Sequence, residues 1–171
     1  MKNFLAGLGT SAIIVMAIVS IGRWFDFKAN CGDYLKLAGD APTVELASAY
    51  LDSAMVFIES KHLTSGNSAY MFHTPKNDLG VWYDQLKGAK EAAASMLQRK
   101  QTDPASVTQD EQNLALIKIR DVVVDQGKKG IEVTAPDHIT WFPNQWLILI
   151  LWIVSIIVAA IGWFWIWEYN N

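Results

Sequence analysis

The residues of this chain that most often carry chemistry in proteins are few and widely scattered. The soft metal ligands are Cys31, His62, His73 and His138, and they lack the Cys-x-x-Cys or His-x-x-x-His spacing of a local metal site. The sequence also lacks a Gly-rich phosphate loop, a nucleophile elbow and a Ser-His-Asp order. It therefore predicts no metal, no cofactor and no enzymatic activity.

One pair of carboxylates has the spacing of residues on a single helix face. Asp121 and Asp125 stand four positions apart, which on a helix would place both on one face. Two such carboxylates could bind a cation or share acid–base chemistry, and the same spacing is that of an ordinary solvated face. The sequence favours the solvated face.

The charge balance excludes nucleic acid as a partner. The chain has 14 Lys and Arg, 17 Asp and Glu, and a net charge of −3. All of these except Lys2 and Glu168 lie in the middle of the chain, with the two signs interspersed. Nucleic-acid binding needs clustered basic side chains that neutralise phosphates, and no such cluster is present.

The single cysteine, Cys31, excludes an intrachain disulfide. We expect a thiol that is buried or close to a membrane. Acylation and an intermolecular bridge are the alternatives.

The elements that must position these residues begin with two apolar runs, residues 4–22 and 146–167. Each is uncharged and long enough to cross the roughly 30 Å hydrocarbon core of a bilayer as a helix. The sequence thus predicts two transmembrane helices, short tails at residues 1–3 and 168–171, and an extramembrane domain at residues 23–145. The first run also resembles a signal peptide, but it is longer than a typical signal core, which favours an uncleaved signal anchor.

The orientation of the domain rests on conflicting charges. Lys2 precedes the first apolar run, as in an export signal, whereas Arg23, Lys28 and Lys36 follow it. We give more weight to the short N-terminal tail. The prediction is an integral protein of a bacterial inner membrane, with both termini cytoplasmic and the domain extracytoplasmic.

Tryptophan residues cluster at the ends of the apolar runs. Because indole rings favour the boundary between lipid and water, we expect them to be membrane-interface anchors. The alternative is an aromatic cage for a quaternary ammonium or a quinone headgroup. The residues concerned are Trp24, Trp141, Trp146, Trp163, Trp165 and Trp167.

Small residues within the apolar runs predict faces where helices pack closely, since a small side chain lets two backbones approach. The candidates are Gly7 and Ser11 in the first run and Ser155, Ala159 and Gly162 in the second. The expected partners are therefore the lipid bilayer and either other membrane-protein subunits or a second copy of this chain.

Hydrophobic periodicity and capping residues predict the helices of the middle domain. We expect a short helix around residues 34–38, a helix from Val44 to near His62 and another over residues 79–100. Thr108 and Glu111 form a capping box that begins a further helix, which should end at Gly127. The buried positions expected on that helix are Leu114, Leu116, Ile117, Val123 and Val124.

Two β-prone pieces, residues 131–134 and 139–142, flank Pro136 and Asp137. They predict a short β-hairpin near the membrane. The expected fold is therefore mainly α, with two transmembrane helices flanking a small bundle of about three helices.

Four short sequences carry a resemblance to a known group. They are residues 31–36 (CGDYLK), 63–66 (LTSG), 74–75 (TP) and 80–83 (GVWY). Over most of the middle domain the chain resembles a group of uncharacterised bacterial membrane proteins with two spans and a helical extramembrane domain. The resemblance implies a helical domain beside the membrane and carries no activity.

Two functional hypotheses follow. The first is a non-enzymatic accessory or scaffold subunit of a membrane assembly, or a homo-oligomer. The second is a sensor-like extracytoplasmic domain that binds a small ligand and signals through a separate membrane partner. The second hypothesis predicts a concave pocket, for which the candidate residues are Tyr70, His73, Trp82 and Tyr83.

Overall fold

A computed structural model describes residues 2–127 and 130–170. The chain divides into two compact units. The first unit combines Met1–Phe25 with Thr140–Asn171, and the second is Asp26–Ile139. The fold class is confirmed, because the chain is mainly helical, has a long apolar helix towards each end and contains a small two-stranded antiparallel sheet.

The first unit is built on the two long helices, α1 (Lys2–Phe27) and α6 (Gln145–Asn170). Both are long and apolar enough to span a membrane. Their large apolar side chains are mostly exposed; Phe4, for example, is 68% exposed and Leu147 60%. In water such a surface would be unfavourable, whereas lipid chains would cover it at no cost.

The second unit contains four helices, α2 (Asp33–Gly39), α3 (Val44–Ser60), α4 (Leu79–Thr102) and α5 (Gln109–Val123). A π-helical segment, Lys28–Gly32, precedes α2. The short helix α2 lies at the centre of the unit, since it packs against α3, α5 and both strands. A methyl group added to Gly39 would lie 3.1 Å from Val123 Cγ2, so α2 approaches α5 closely at this glycine.

Capping residues begin the helices where the sequence predicts. The side-chain hydroxyl of Thr43 accepts a hydrogen bond from Leu46 N–H at the start of α3. Asp78 accepts from the N–H groups of Gly80 and Val81 at the start of α4. The capping box of Thr108 and Glu111 at the start of α5 is confirmed in both directions.

The end of α3 uses a histidine in a conformation that glycine favours. His62 has a φ of 55°, its N–H donates to Glu59 O, and Leu63 N–H donates to Ile58 O. This is the Schellman pattern, in which a left-handed residue satisfies the last carbonyls of a helix. His62 therefore has a structural role in the fold.

The hairpin differs from the predicted one. Strand β1 (Val124–Gly127) pairs antiparallel with β2 (Gly130–Val133), and Val124 is opposite Val133. Residues 139–142 do not form the second strand, because Ile139–Trp141 is a turn of 3-10 helix. The predicted helix end at Gly127 is also wrong. Helix α5 ends at Val123, where the β-branched run of residues 122–124 makes the chain extended.

The core of the second unit is formed by aliphatic side chains from all four of its helices. The largest fully buried ones are Leu35, Leu51, Ile58, Leu79, Leu86 and Ile119. Val123 and Val124 are buried as predicted. Leu114 and Ile117 were predicted to be buried and are 52% and 55% exposed, so that part of the prediction is wrong.

Candidate interaction surface

An apolar groove lies between α4 and α5. It has a volume of about 610 Å³. The α4 side is lined mainly by small side chains and the α5 side by larger aliphatic ones, with charges at the edge. The lining residues are Gly88, Ala89, Ala92, Ala93, Ser95, Met96 and Arg99 from α4, and Glu111, Leu114, Ala115, Lys118, Ile119, Asp121 and Val122 from α5.

The groove exists because two capped helices run back along each other. Asp103 ends α4 and caps a turn of 3-10 helix, Pro104–Ser106, by accepting from Ala105 N–H. Thr108 then begins α5. Since both sides of the connection are capped, the start of α5 is fixed beside the end of α4, where Arg99 Nη1 lies 3.8 Å from Glu111 Oε1.

Lys100 joins three helices next to the groove. Its Nζ donates to Glu45 Oε1 of α3 at 2.7 Å and to Gln112 Oε1 of α5 at 3.1 Å. The hydrogen bond from Lys100 is the main reason that the pKa of the Glu45 carboxyl lies below its ordinary value. Both side chains are partly exposed, so this ion pair adds little stability and serves mainly to align α4 with α3 and α5.

The exposed large side chains of α5 stand at and beside this groove. Leu114 lines it, and Ile117 lies one turn further along α5. The helix has apolar residues on more than one face, and only Ile119 and Val123 reach the core. Periodicity predicts that a helix has an apolar face, but it does not choose between two such faces, which explains the error for Leu114 and Ile117.

The four residues predicted to form a ligand pocket lie in different surroundings. Trp82 is buried, and its indole N–H donates to Thr134 O. The Tyr70 ring packs on the His138 ring at 4.7 Å, and burial raises the pKa of the Tyr70 hydroxyl. Tyr83 OH donates to Glu59 Oε1 at 2.8 Å. His73 lines a shallow groove beside Asn67 and Asp78.

Trp82 also lines a second groove of about 420 Å³, at the hairpin. Its polar rim includes Lys76, Asp125, Glu132 and Asp137. This groove and the one lined by His73 share Pro75 and Val81. Sequence reasoning identified Trp82 but missed the hairpin residues, because β1 was predicted to be the end of a helix.

The ionisable clusters considered from the sequence separate in the structure. Asp121 lies on α5 and Asp125 on β1, so these carboxylates do not share a helix face, but both are exposed, as the favoured interpretation of solvated charges predicts. Over residues 2–127 and 130–170, no group of three or more His, Cys, Asp or Glu side chains is arranged to hold a metal ion.

In the first unit, α1 and α6 meet through small residues in an antiparallel register. A methyl group added to Gly9 would lie 2.7 Å from Ala159 Cα, and one added to Gly162 would lie 2.6 Å from Ala6 Cα. Ala159 and Gly162 were among the predicted packing positions, and Ser155 is buried as well.

The predicted packing positions on α1 are not at this contact. Gly7 has nothing within 4 Å of an added methyl group, and Ser11 is exposed. Gly7 and Ser11 therefore take no part in the contact between α1 and α6, and their packing against another chain stays a prediction. The physical reason is that Ala6 and Gly9 are as small as Gly7 and Ser11 but lie on the adjacent face of α1.

A hydrogen bond joins α6 to α1, and another joins α1 to the segment that precedes α6. Trp163 Nε1 donates to Thr10 Oγ1 at 3.3 Å, and Arg23 Nη2 donates to Phe142 O at 3.2 Å. Trp141 is half-buried. The other tryptophans predicted as interface anchors, Trp24, Trp146, Trp163, Trp165 and Trp167, are 48–64% exposed.

Cys31 gives the second unit a pH-dependent stability. The thiol is fully buried in the π-helical segment, which packs against α3, and burial raises the pKa of the thiol from 9.0 to about 12. The folded state therefore holds this proton more tightly than the unfolded chain does. The resulting stability is fully present below pH 9 and is lost as the pH rises towards 12.

We expect the free energy of unfolding to fall above pH 9 by up to about 1.4 kcal/mol per pH unit from this thiol. Urea denaturation of the detergent-solubilised chain between pH 8 and pH 10.5 measures the effect. Because tyrosines and lysines titrate in the same range, the quantity of interest is the difference between the parent and Cys31→Ala. A difference that does not change with pH would contradict the prediction.

Comparisons with known proteins returned no match to a protein-family model, a curated protein or a solved structure. The resemblance to uncharacterised two-span membrane proteins accordingly stays a prediction.

Proposed function

We propose that this chain is a non-enzymatic, two-span membrane protein that acts as an accessory or scaffold subunit of a membrane assembly, or as a homo-oligomer. The observation that carries the proposal is the exposed apolar surface of α4 and α5. Leu114 and Ile117 leave more than half of their surface open beside a groove of about 610 Å³. Large apolar side chains left exposed beside an apolar groove of a folded domain are typical of a protein–protein contact.

The two long helices support the membrane part of the proposal. They are apolar, mostly exposed and antiparallel, an arrangement that suits a pair of spans with both tails on one side of a bilayer. We propose that the tails are cytoplasmic and that the second unit faces an extracytoplasmic space, as the charge of Lys2 ahead of the first run suggests.

Extraction in a mild detergent followed by native mass measurement tests the proposed function. We expect the chain to emerge in a complex, with itself or with another membrane protein. A strictly monomeric chain without a partner, both in detergent and after chemical crosslinking in intact membranes, would overturn the scaffold proposal.

Thiol labelling tests the proposed orientation. Met71 is 76% exposed, so Met71→Cys in a Cys31→Ala background presents one accessible thiol in the second unit. We expect a membrane-impermeant maleimide to label this variant in intact cells whose outer barrier has been opened. Labelling that requires lysis of the inner membrane would reverse the orientation.

A ligand-binding function is the second candidate, because the volume of the α4–α5 groove lies within the range of about 300–1,000 Å³ found for small-molecule sites. A sensor of this kind should gain thermal stability from its ligand. A melting temperature that no member of a metabolite panel raises would count against this function and would leave the scaffold proposal standing.

A further inference from the structure

We propose that the occupant of the α4–α5 groove is a second copy of this chain, related by a two-fold axis. This inference rests on the proposed function and deepens it by naming the partner. It follows from the shape and the charges of the groove surface, and from the confinement of two chains in one membrane.

The shape of the surface is self-complementary. On α5, Leu114 and Ile117 form an exposed ridge. On α4, Gly88, Ala92 and Ser95 are exposed and follow one another at helical spacing, so they form a stripe without large side chains. A two-fold axis places the same patch on both copies, so that the ridge of each copy meets the groove of the other.

The charges at the groove are also self-complementary. Of the four charged lining residues, Arg99 and Glu111 pair with each other within the chain, which leaves the basic Lys118 and the acidic Asp121 for a contact between copies. Lys118 and Asp121 stand one turn apart on α5. In an antiparallel arrangement of the two α5 helices, Lys118 of each copy approaches Asp121 of the other, which favours the pairing and fixes its register.

The alignment of the two copies that pairs these charges also brings the ridge of one copy towards the small-residue stripe of the other. Within one chain α4 and α5 are antiparallel, and Arg99 of α4 lies beside Glu111 of α5. Moving about 11 residues back along α4 and the same number forward along α5 therefore places Gly88 level with Val122. If Lys118 of one copy faces Asp121 of the other, Ile117 faces Val122 of the second copy. Ile117 then lies level with Gly88, the glycine at one end of the small-residue stripe.

Membrane anchoring strengthens such a contact. Two chains held in one bilayer by their spans are confined to a plane, which raises their effective concentration relative to free domains. An interface of modest area therefore suffices for a dimer in the membrane. A small ligand gains nothing from this confinement, and the mixed charges around the groove do not favour a ligand of either sign.

The decisive variant is Ala92→Glu. It fills the small-residue stripe with a long charged side chain, so the ridge of the second copy can no longer dock there. Glutamate forms helices well and Ala92 is exposed, so the fold of the monomer should be retained. Native mass measurement of the full chain in mild detergent is expected to show a dimer for the parent and a dimer fraction lower by about tenfold or more for the variant.

Ala94→Glu is the matched control. Ala94 is exposed on the same helix but does not line the groove, and the change in size and charge is identical. We expect this variant to dimerise like the parent. Resistance of the buried Cys31 to maleimide shows whether each variant remains folded. If folded Ala92→Glu dimerises like the parent, the assignment of the groove is overturned.

Charge reversal tests the register. Lys118→Glu and Asp121→Lys should each lower the dimer fraction several-fold, because each sets like charges opposite each other across the two-fold axis. The double variant with both changes restores the pairing and should restore the dimer. If the double variant is as impaired as the single ones, this antiparallel arrangement is wrong.

The outcomes separate this inference from the proposed function. If the parent forms a complex with a different protein and contains only one copy of this chain, the proposed dimer is overturned, whereas the scaffold function is still supported. A parent that is monomeric in detergent and uncrosslinked in membranes overturns both proposals.

Discussion

Leucine at Gly9 is expected to force α1 and α6 apart. A methyl group at this position already falls 2.7 Å from Ala159 Cα and 2.9 Å from Ala159 Cβ, and it also overlaps Ala159 N. Because the obstructing atoms are mainly backbone, no change of side-chain rotamer relieves the overlap. We expect a loss of about 3 kcal/mol of packing between the two helices, which is the upper end of what overpacking typically costs.

Crosslinking between the helices measures the effect. The contacts of Gly9 with Ala159 and of Ala6 with Gly162 set an antiparallel register, and extending it by one turn brings Ile13 opposite Ser155. Cysteines at these two positions, in a Cys31→Ala background, should be joined by a short crosslinker in the parent. With Gly9→Leu added, the crosslinked fraction should fall several-fold.

Gly7→Leu is the matched control. It makes the same change on the same helix and raises its hydrophobicity equally, but nothing lies within 4 Å of the added methyl group. Crosslinking between positions 13 and 155 should therefore match the parent. If Gly9→Leu also crosslinks like the parent, α1 and α6 do not meet at Gly9. A loss of dimer in Gly7→Leu, with this crosslink intact, would place Gly7 at a contact between copies.

The features that sequence predicted well are those governed by local chemistry. The capping box at Thr108 needs two side chains three residues apart, and both are visible in the sequence. Thr43 and Asp78, which cap α3 and α4, act through the same kind of local contact, although only the starts of these helices were predicted. Length and composition were likewise enough to identify two helices able to span a membrane.

The features that sequence missed depend on which surfaces meet. Gly9 and Gly7 are the same residue on one helix, and only the position of α6 decides which of them is crowded. The second strand of the hairpin is another example. Residues 131–134 were predicted to pair with the later segment 139–142, whereas β2 pairs with the earlier strand β1. Strand β1 is available because α5 ends at Val123, within the β-branched run of residues 122–124.

The exposure of Leu114 and Ile117 is the most informative of these differences. These large aliphatic residues were predicted for the core but lie on the surface, because the core of the second unit is already filled by side chains such as Leu35, Leu51 and Leu86. An apolar side chain that the fold does not bury needs another explanation, and a contact with a second chain provides one. The failed burial prediction and the proposed dimer surface therefore concern the same residues.

Truncation of Leu51 to alanine is expected to destabilise the second unit more than any other change considered. Leu51 is 0% exposed near the middle of α3, which packs against α2, α4 and α5. Removing its branched end leaves a cavity that these helices cannot close without moving. Substitutions of this kind cost about 2 to 5 kcal/mol, a large part of the stability of a small domain.

The buried thiol of Cys31 reports this loss in the full-length protein. In the folded state the thiol is inaccessible, so N-ethylmaleimide reacts with it only when the second unit opens. A loss of about 1.4 kcal/mol raises the population of the opened state tenfold. A loss of about 2 kcal/mol or more in Leu51→Ala should therefore make the reaction about 30-fold faster or more. The control is Leu46→Ala on the same helix, where the side chain is 38% exposed and the loss should be well below that of Leu51. Equal reaction rates in the two variants would mean that α3 does not present Leu51 to the core, and the packing described for the second unit would then be wrong.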